Sequence, residues 1–394
     1  MIEVMRNIVI AGLTSLFTDI SSEMIYPIIS LYLLALGSGP ALIGMIEGIA
    51  ESTASIVKVF SGAWSDRISR RKPLAILGYS FSTIGKFFLW VASGWGVVFA
   101  GRTLDRFGKG IRTAPRDALI AESSSSEKKG SSFGLHRAMD TLGATFGVII
   151  AIVIMRHLGL NRGLHTVQHI RSYLPAFKYI ILMSLVPAAI GVAVLFMVKE
   201  TGTGRPLVRT LPLKWSMLDR RLKAFLIVTF VFTLGNSSNQ FLLMRAKSIG
   251  FSVEGVLLLY LVYNIVYDTV SWPAGRLSDR IGRKTLIVLG YAVYAIVYTG
   301  FGLTGSGSAM WVLFSVYGLY MAFTEGVEKA LVTDIAPGDL KATLIGLHAT
   351  LVGIGLFPAS LLAGLIWDVL GPQYTFYFGG LMGAIAAVGM LVVL

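Results

Sequence analysis

The stretch "LFTDISSEMIYP", residues 16–27, sets Asp19 and Glu23 one helical turn apart in an otherwise apolar run. Side chains at i and i+4 share one face of a helix. If that helix crosses a bilayer, each charge costs about 2.5–3.5 kcal/mol at its centre on insertion scales. A carboxylate in a low-dielectric setting beside cations can exchange a proton near neutral pH, so the pair suits proton coupling or substrate binding. A second stretch, "AGRTLDRFGKGIRTAPRDALIAE" (100–122), carries Arg102, Asp105, Arg106, Lys109, Arg112 and Arg116. Steps of three and four make these one helical stripe, and a charged stripe must face other helices or a cavity rather than lipid. Its cations suit an anionic or zwitterionic solute. "FGKG" within it does not complete G-x-x-x-x-G-K-[ST], nor does any other stretch, so energy is expected to come from an ion gradient rather than ATP.

Further polar groups fall inside apolar runs: Glu47, Glu51, Lys58, Lys86, Arg137 and Asp140, then Asn236, Asn239, Gln240, Asn264, Asp268, Glu325, Glu328 and Lys329. Glu47, Glu51 and Lys58 share one helix face, which reads as an ion-paired interface. His136 and His348 open two such runs, where capping or packing is preferred over a proton relay. His165 and His169 read as an ordinary wet turn rather than a metal pair. No nucleophile–base pair or metal cluster is concentrated in one place, so no enzyme, metal site or cofactor is expected.

The elements that must position these residues follow from composition. The chain has 394 residues, 55% hydrophobic and 14% charged, with a mean hydropathy of +0.73. Soluble domains carry about 25% charged residues. The shortfall points to an all-α polytopic membrane protein, and the length fits twelve spans of about 20 residues. They are expected at 7–36, 41–63, 74–94, 97–120, 132–156, 174–198, 223–245, 252–273, 285–304, 309–332, 342–366 and 374–394. The first apolar run lacks a secretory cleavage pattern and is expected to remain as span one. The +13 charge sits in short loops such as "SDRISRRKP" and "GRLSDRIGRK", which argues for topology rather than nucleic acid. By the positive-inside rule both termini and the long loop 199–222 are cytoplasmic; the basic loop after span five is a local violation. With no cysteine, disulfides are excluded.

An internal repeat organises the chain. "GAWSDRISRRK" (62–72) matches "GRLSDRIGRK" (275–284), aligning Gly62 with Gly275, Asp66 with Asp279, Arg67 with Arg280 and Arg70 with Arg283. "FGLHRAMDTLG" (133–143) matches "IGLHATLVGIG" (345–355), pairing the two histidines. A weaker match, "ISSEM" with "NSSNQ", sets Gly235 against Asp19 and Asn239 against Glu23, so the second half carries neutral groups where the first carries acids. The expected halves are 1–198 and 223–394. Within the repeated loop, Gly62 and Gly275 would allow close helix approach, and Asp66 and Asp279 could accept from a helix N-terminus. Arg67, Arg70, Arg71, Arg280, Arg283 and Lys284 would pair with carboxylates on the facing half when the cytoplasmic side closes. Together they read as a gate.

The repeated G-x-x-x-D-R-x-x-R-R/K loop, the twelve spans and the long basic mid-chain loop resemble the major facilitator superfamily over the whole chain. The resemblance implies two six-helix bundles rocking about a central site, a first span that lines that site, and a monomer in the cytoplasmic membrane. Arg102 matches the place of a family arginine tied to proton coupling, while Asp105-Arg106 replaces the usual Gln-Gly that follows it. The reading that results is a proton-coupled carrier of a small polar organic solute. Asp19, Glu23, Arg102, Asp105, Arg106, Lys109, Asn236, Asn239, Glu325, Glu328 and His348 are its candidate coupling and substrate residues, and protons and lipid are the other partners. The alternatives are a drug/proton antiporter, for which 22 Phe and 15 Tyr speak, and a ferroportin-like divalent-metal exporter, prompted by Asp19, Glu23 and His348.

Overall fold

The computed structural model describes residues 2–68, 70–124, 129–158, 167–200, 218–336 and 340–393. Helix is the only extended regular structure among them. The first span is α1 (Ile2–Ile25), a tight turn Tyr26–Ile28 and α2 (Ile29–Ala35). Then come α3 (Pro40–Ile68), α4 (Lys72–Val91), α5 (Trp95–Glu122), α6 (Lys129–His157) and α7 (Leu174–Leu195). The seventh span is likewise split, into α8 (Arg220–Gly235) and α9 (Gln240–Ser248). It is followed by α10 (Val253–Ile281), α11 (Arg283–Leu303), α12 (Gly307–Ile335), α13 (Lys341–Leu370) and α14 (Pro372–Val393).

The two splits have different local causes. Pro27 is the second residue of the turn after α1, and its ring removes the backbone donor that would continue the helix. Between α8 and α9 stands Asn-Ser-Ser-Asn (236–239), whose short polar side chains compete with the helical ladder. Asn236 there leaves helical geometry at φ −90°, ψ 75°.

Among the described residues, ten helical spans are long and apolar enough to cross a membrane. The other two of the twelve are α3, with Glu47, Glu51 and Lys58, and α5, with the charged stripe. Helices α3, α5 and α12 run past the ends expected from hydropathy, because a helix continues through polar residues of good propensity where the apolar run stops.

The chain forms two compact units: 1–37 with 53–164 and 168–210, and 38–52 with 165–167 and 211–394. Packing repeats inside them. In the first unit α1 packs on α6 and α7, and α4 on α5 and α7; in the second α8 packs on α13 and α14, and α11 on α12 and α14. The first part of α3 belongs to the second unit, where the Ser52 hydroxyl donates to the Gly353 carbonyl at 2.6 Å.

Bare backbone sets the closest of these seams. A Cβ added at Gly85 of α4 would stand 2.6 Å from the Gly101 carbonyl and the Asp105 amide of α5. A Cβ at Gly101 would stand 2.7 Å from the Gly85 carbonyl in return. Gly85→Val should therefore force α4 off α5, at about the 1–3 kcal/mol of an overpacked core. The check is the thermal melting midpoint of the purified protein, which should fall for Gly85→Val and stay near wild type for Gly96→Ala, where the space is open.

Candidate functional site

The opening pair of acids sits on the α1–α6 seam. Cβ atoms added at Gly143 and Gly147 of α6 would meet the Leu16 and Ile20 carbonyls at 2.5 Å, and the Asp19 and Glu23 side chains at 3.2 and 3.0 Å. Two glycines one turn apart thus make room for two acids one turn apart. The G-x-x-x-G spacing at 143–147 is a sequence signal for this that the pattern of charges alone does not give. Asp19 lies in the field of Arg112, Lys109 and Arg116 and of the like-charged Asp140.

The α5 stripe surrounds Asp105. Arg102 Nη1 lies 3.4 Å and Arg106 Nε 3.9 Å from Asp105 Oδ2, and all three residues are buried. The guanidiniums of Arg102 and Arg106 stand 5.4 and 5.6 Å from the centre of the Tyr26 ring, at the turn that splits the first span. From α4 comes Lys86, 1% exposed, whose ammonium donates to the Ser21 hydroxyl at 2.7 Å and the Ser22 hydroxyl at 3.1 Å. It also shares charge interactions with Asp105 and Asp19. Arg112 stacks on Tyr79 at 4.4 Å and donates to the Ser82 hydroxyl at 3.4 Å. Lys109, on the same stripe, is exposed. Arg116 reaches the Ser15 hydroxyl at 3.2 Å and pairs with Asp117 at 2.9 Å.

The second unit gathers phenols and amides where the first gathers charges. Asn236 donates to Tyr320 at 3.0 Å, and Asn239 accepts from Tyr317 at 2.8 Å. Both asparagines stand at the split between α8 and α9. Glu328 is buried and accepts from Tyr291 at 2.9 Å, with His348 Nε2 at 3.4 Å. Glu325 is half exposed, bonded to Tyr267 and 3.6 Å from Lys329. His136 and His348 do not cap helices; each is the eighth residue of its helix and faces a carboxylate, His136 at 3.5 Å from Asp140. Among the described residues no three His, Asp or Glu side chains converge as a metal site. His165 lies outside the described residues, as do the side chains of His169 and Asp66.

The repeated loops differ from expectation in three ways. Gly62 and Gly275 are not close-approach points: a Cβ at Gly62 would meet Ala114 at an ordinary 3.5 Å, and one at Gly275 would meet nothing within 4 Å. Arg283 answers Arg71 rather than Arg70. Arg71 pairs with Glu122 at 3.1 Å and Arg283 pairs with Asp334, while Lys72 and Lys284 each donate to a carbonyl, of Phe196 and Leu391, at 2.7 and 3.1 Å. The loop after α3 is longer than the one after α10, which shifts the register of everything beyond it. Finally, these partners lie in the same unit as the arginine, at the ends of α5 and α12, rather than on the facing half. Asp279 is well exposed and 3.3 Å from Arg283; Arg67, Arg70 and Arg280 are exposed.

The profile described as Major Facilitator Superfamily matches residues 11–267 and 225–394. The chain belongs to this superfamily. An uncharacterized MFS-type transporter of Methanocaldococcus jannaschii is 36% identical over 99% of this chain and 95% of its own length. The inner membrane transport protein YajR of Escherichia coli is 24% identical over 92% of this chain and 77% of its own. Among solved structures, the nucleoside transporter NupG matches with a TM-score of 0.74 at 13% identity, covering 98% of each chain. A D-xylose-proton symporter matches at 0.72 and 16%, over 99% of this chain and 98% of that one. The protein is thus an integral membrane transporter, and members of its superfamily carry small molecules across membranes.

In this transporter Asp105 is the counter-ion on which the buried stripe relies. Asp105→Ala would leave Arg102 and Arg106 without it, a loss of about 3–5 kcal/mol for a broken buried pair. Asp105→Ala should therefore lower the melting midpoint much more than Asp279→Ala, since exposed pairs contribute about 0–1 kcal/mol. Equal shifts in the two variants would show that Asp105 is not the anchor of the stripe.

Proposed function

We propose that this transporter is a secondary active, proton-coupled carrier of a small anionic or zwitterionic organic solute. It works by alternating access, with halves 1–198 and 223–394 joined by the cytoplasmic linker 199–222. The observation that carries the reading is the cluster of Lys86, Arg102, Arg106 and Arg112 about the carboxylate of Asp105, with Asp19 beside Lys86 and Arg112. Guanidiniums present paired donors that match a carboxylate or phosphate. Tyr26, under two of them, offers a flat surface at the split of the first span, and split helices are where transporters of this architecture bind substrate.

The proton is assigned to Asp19 or Glu23. Asp19 lies among Arg112, Lys109, Arg116 and Asp140, so its charge state is felt by the same stripe that would hold the solute. That link is what coupling requires: protonation must change the affinity for the solute. The D-xylose-proton symporter shows that the same fold can run on protons. A drug/proton antiporter is the second reading, favoured by the aromatic assembly of Tyr263, Tyr294, Tyr298, Tyr317, Tyr320 and Phe232 in the second unit. Those rings are largely buried against one another, which serves packing first. The gate is placed at the repeated loops, on Asp66, Arg67, Arg70, Asp279 and Arg280, while the Arg71–Glu122 and Arg283–Asp334 pairs bind helices within one unit. The protein acts as a monomer in the cytoplasmic membrane with both termini inside.

A thermal-shift screen of the purified protein against carboxylates, amino acids, organophosphates and cationic dyes should single out an anion or zwitterion, since a ligand of the native state raises its melting temperature. A hit confined to cationic dyes would favour the second reading. In proteoliposomes loaded with that hit, Asp19→Asn or Glu23→Gln should abolish uphill uptake driven by a pH gradient, which supplies only about 1.36 kcal/mol per proton per pH unit. Exchange at equal pH should persist. If both variants still concentrate the solute at the normal rate, the coupling acid lies elsewhere.

A further inference from the structure

The outer side of α10 changes character along its length. Ile265, Thr269, Trp272, Arg276 and Arg280 follow one another at steps of three and four, so they share one face, and all five are exposed. The helix is long and apolar enough to cross a membrane, and outward side chains on such a helix meet lipid. The face begins apolar at Ile265, becomes aromatic at Trp272, which is 69% exposed, and ends in two cations. Leu277 and Ile281 are exposed beside those cations, so the surface stays apolar to the last turn. Tryptophan favours the boundary between hydrocarbon and headgroups, and an arginine near a helix end turns its charge toward that boundary.

The two cations are not consumed by the protein. The Arg276 guanidinium lies over the Trp272 ring, 4.7 Å from its centre. Such stacking holds a guanidinium by its face and leaves its N–H edge for a phosphate. Among the described residues neither Arg276 nor Arg280 forms an ion pair. Asp279, the acid next to Arg280 in sequence, stands 3.3 Å from Arg283, which also pairs with Asp334. Lys284, the remaining cation at this end, donates to the Leu391 carbonyl. In the first half Val59 and Ala63 stand at the positions of Trp272 and Arg276, 213 residues earlier. The stacked pair is therefore not among the residues that the repeat matches, and it belongs to the second half alone.

A ligand that fits this face needs an apolar body along residues 265–272 and a negative head at Arg276 and Arg280. We infer that this face binds an anionic phospholipid, at the end of α10 that carries the repeated loop. A zwitterionic headgroup brings an ammonium of its own, which the two arginines repel. Free phosphate has nothing to set against Ile265 and Trp272. The site is independent of the transported solute and of proton coupling. It can be tested by native mass spectrometry of the purified full-length protein in detergent, with phosphatidylglycerol or phosphatidylcholine added at matched concentrations. The wild type should retain one phosphatidylglycerol more tightly than it retains phosphatidylcholine. Arg276→Gln should weaken that first binding step about fivefold, the usual effect of one basic residue at an anionic membrane surface. Trp272→Leu should weaken it as well, because it removes the ring that holds Arg276. Both side chains are exposed, so the melting midpoint without lipid should stay at the wild-type value in each variant. Arg221→Gln, which removes an exposed cation at the start of α8, serves as the comparison and should leave the step unchanged. Inorganic phosphate should not displace the lipid. Equal retention of the two lipids, an equal loss in Arg221→Gln, or displacement by phosphate would each overturn the site, as a general lipid belt, diffuse charge or a simple anion site in turn.

Discussion

A charge inside a bilayer has to be met by an opposite charge or a fixed donor, and much of the first unit is arranged by that demand. Asp105 lies between Arg102 and Arg106, Lys86 is held by two serine hydroxyls, and Arg112 is spread over the Tyr79 ring. The Arg112–Tyr79 contact bridges α5 and α4, which touch backbone to backbone where Gly85 and Gly101 permit it.

The two units answer the same demand differently. Helices pack in the same order in each, α1 on α6 and α7 as α8 on α13 and α14, so the scaffold is shared. Its contents diverge: the first unit fills the frame with guanidiniums and carboxylates, the second with tyrosines, asparagines and the buried acids Glu47 and Glu328. A phenol satisfies its polar end with one hydrogen bond and fills the rest with ring, at far lower desolvation cost than an ion. The shared scaffold therefore buries ionised groups in one unit and mostly aromatic rings in the other.

At the loop ends, repetition is closer. Arg71 with Glu122 and Arg283 with Asp334 tie the start of α4 and of α11 to the end of α5 and of α12, and the neighbouring lysines close on carbonyls of the last helix of each unit. In the first unit Glu200 also accepts from the Arg71 and Lys72 amides at 2.9 and 3.1 Å, a carboxylate at the positive end of α4. These ties bind helices within each unit to one another.

The sequence by itself determined the class, the twelve spans, the duplication and the superfamily, because hydropathy, helical spacing and repeated motifs are properties of neighbouring residues. It also marked Asp19, Glu23 and the α5 stripe, since a charge in an apolar run stands out wherever the run folds. The tertiary structure alone decided which partners those charges have. Arg71 and Arg283 meet Glu122 and Asp334 at the ends of α5 and α12, and neither Gly62 nor Gly275 makes a close helix approach. His348 meets Glu328, twenty residues away on another helix, rather than capping its own. Such pairings depend on how helices distant in sequence are brought side by side, and no local pattern records that.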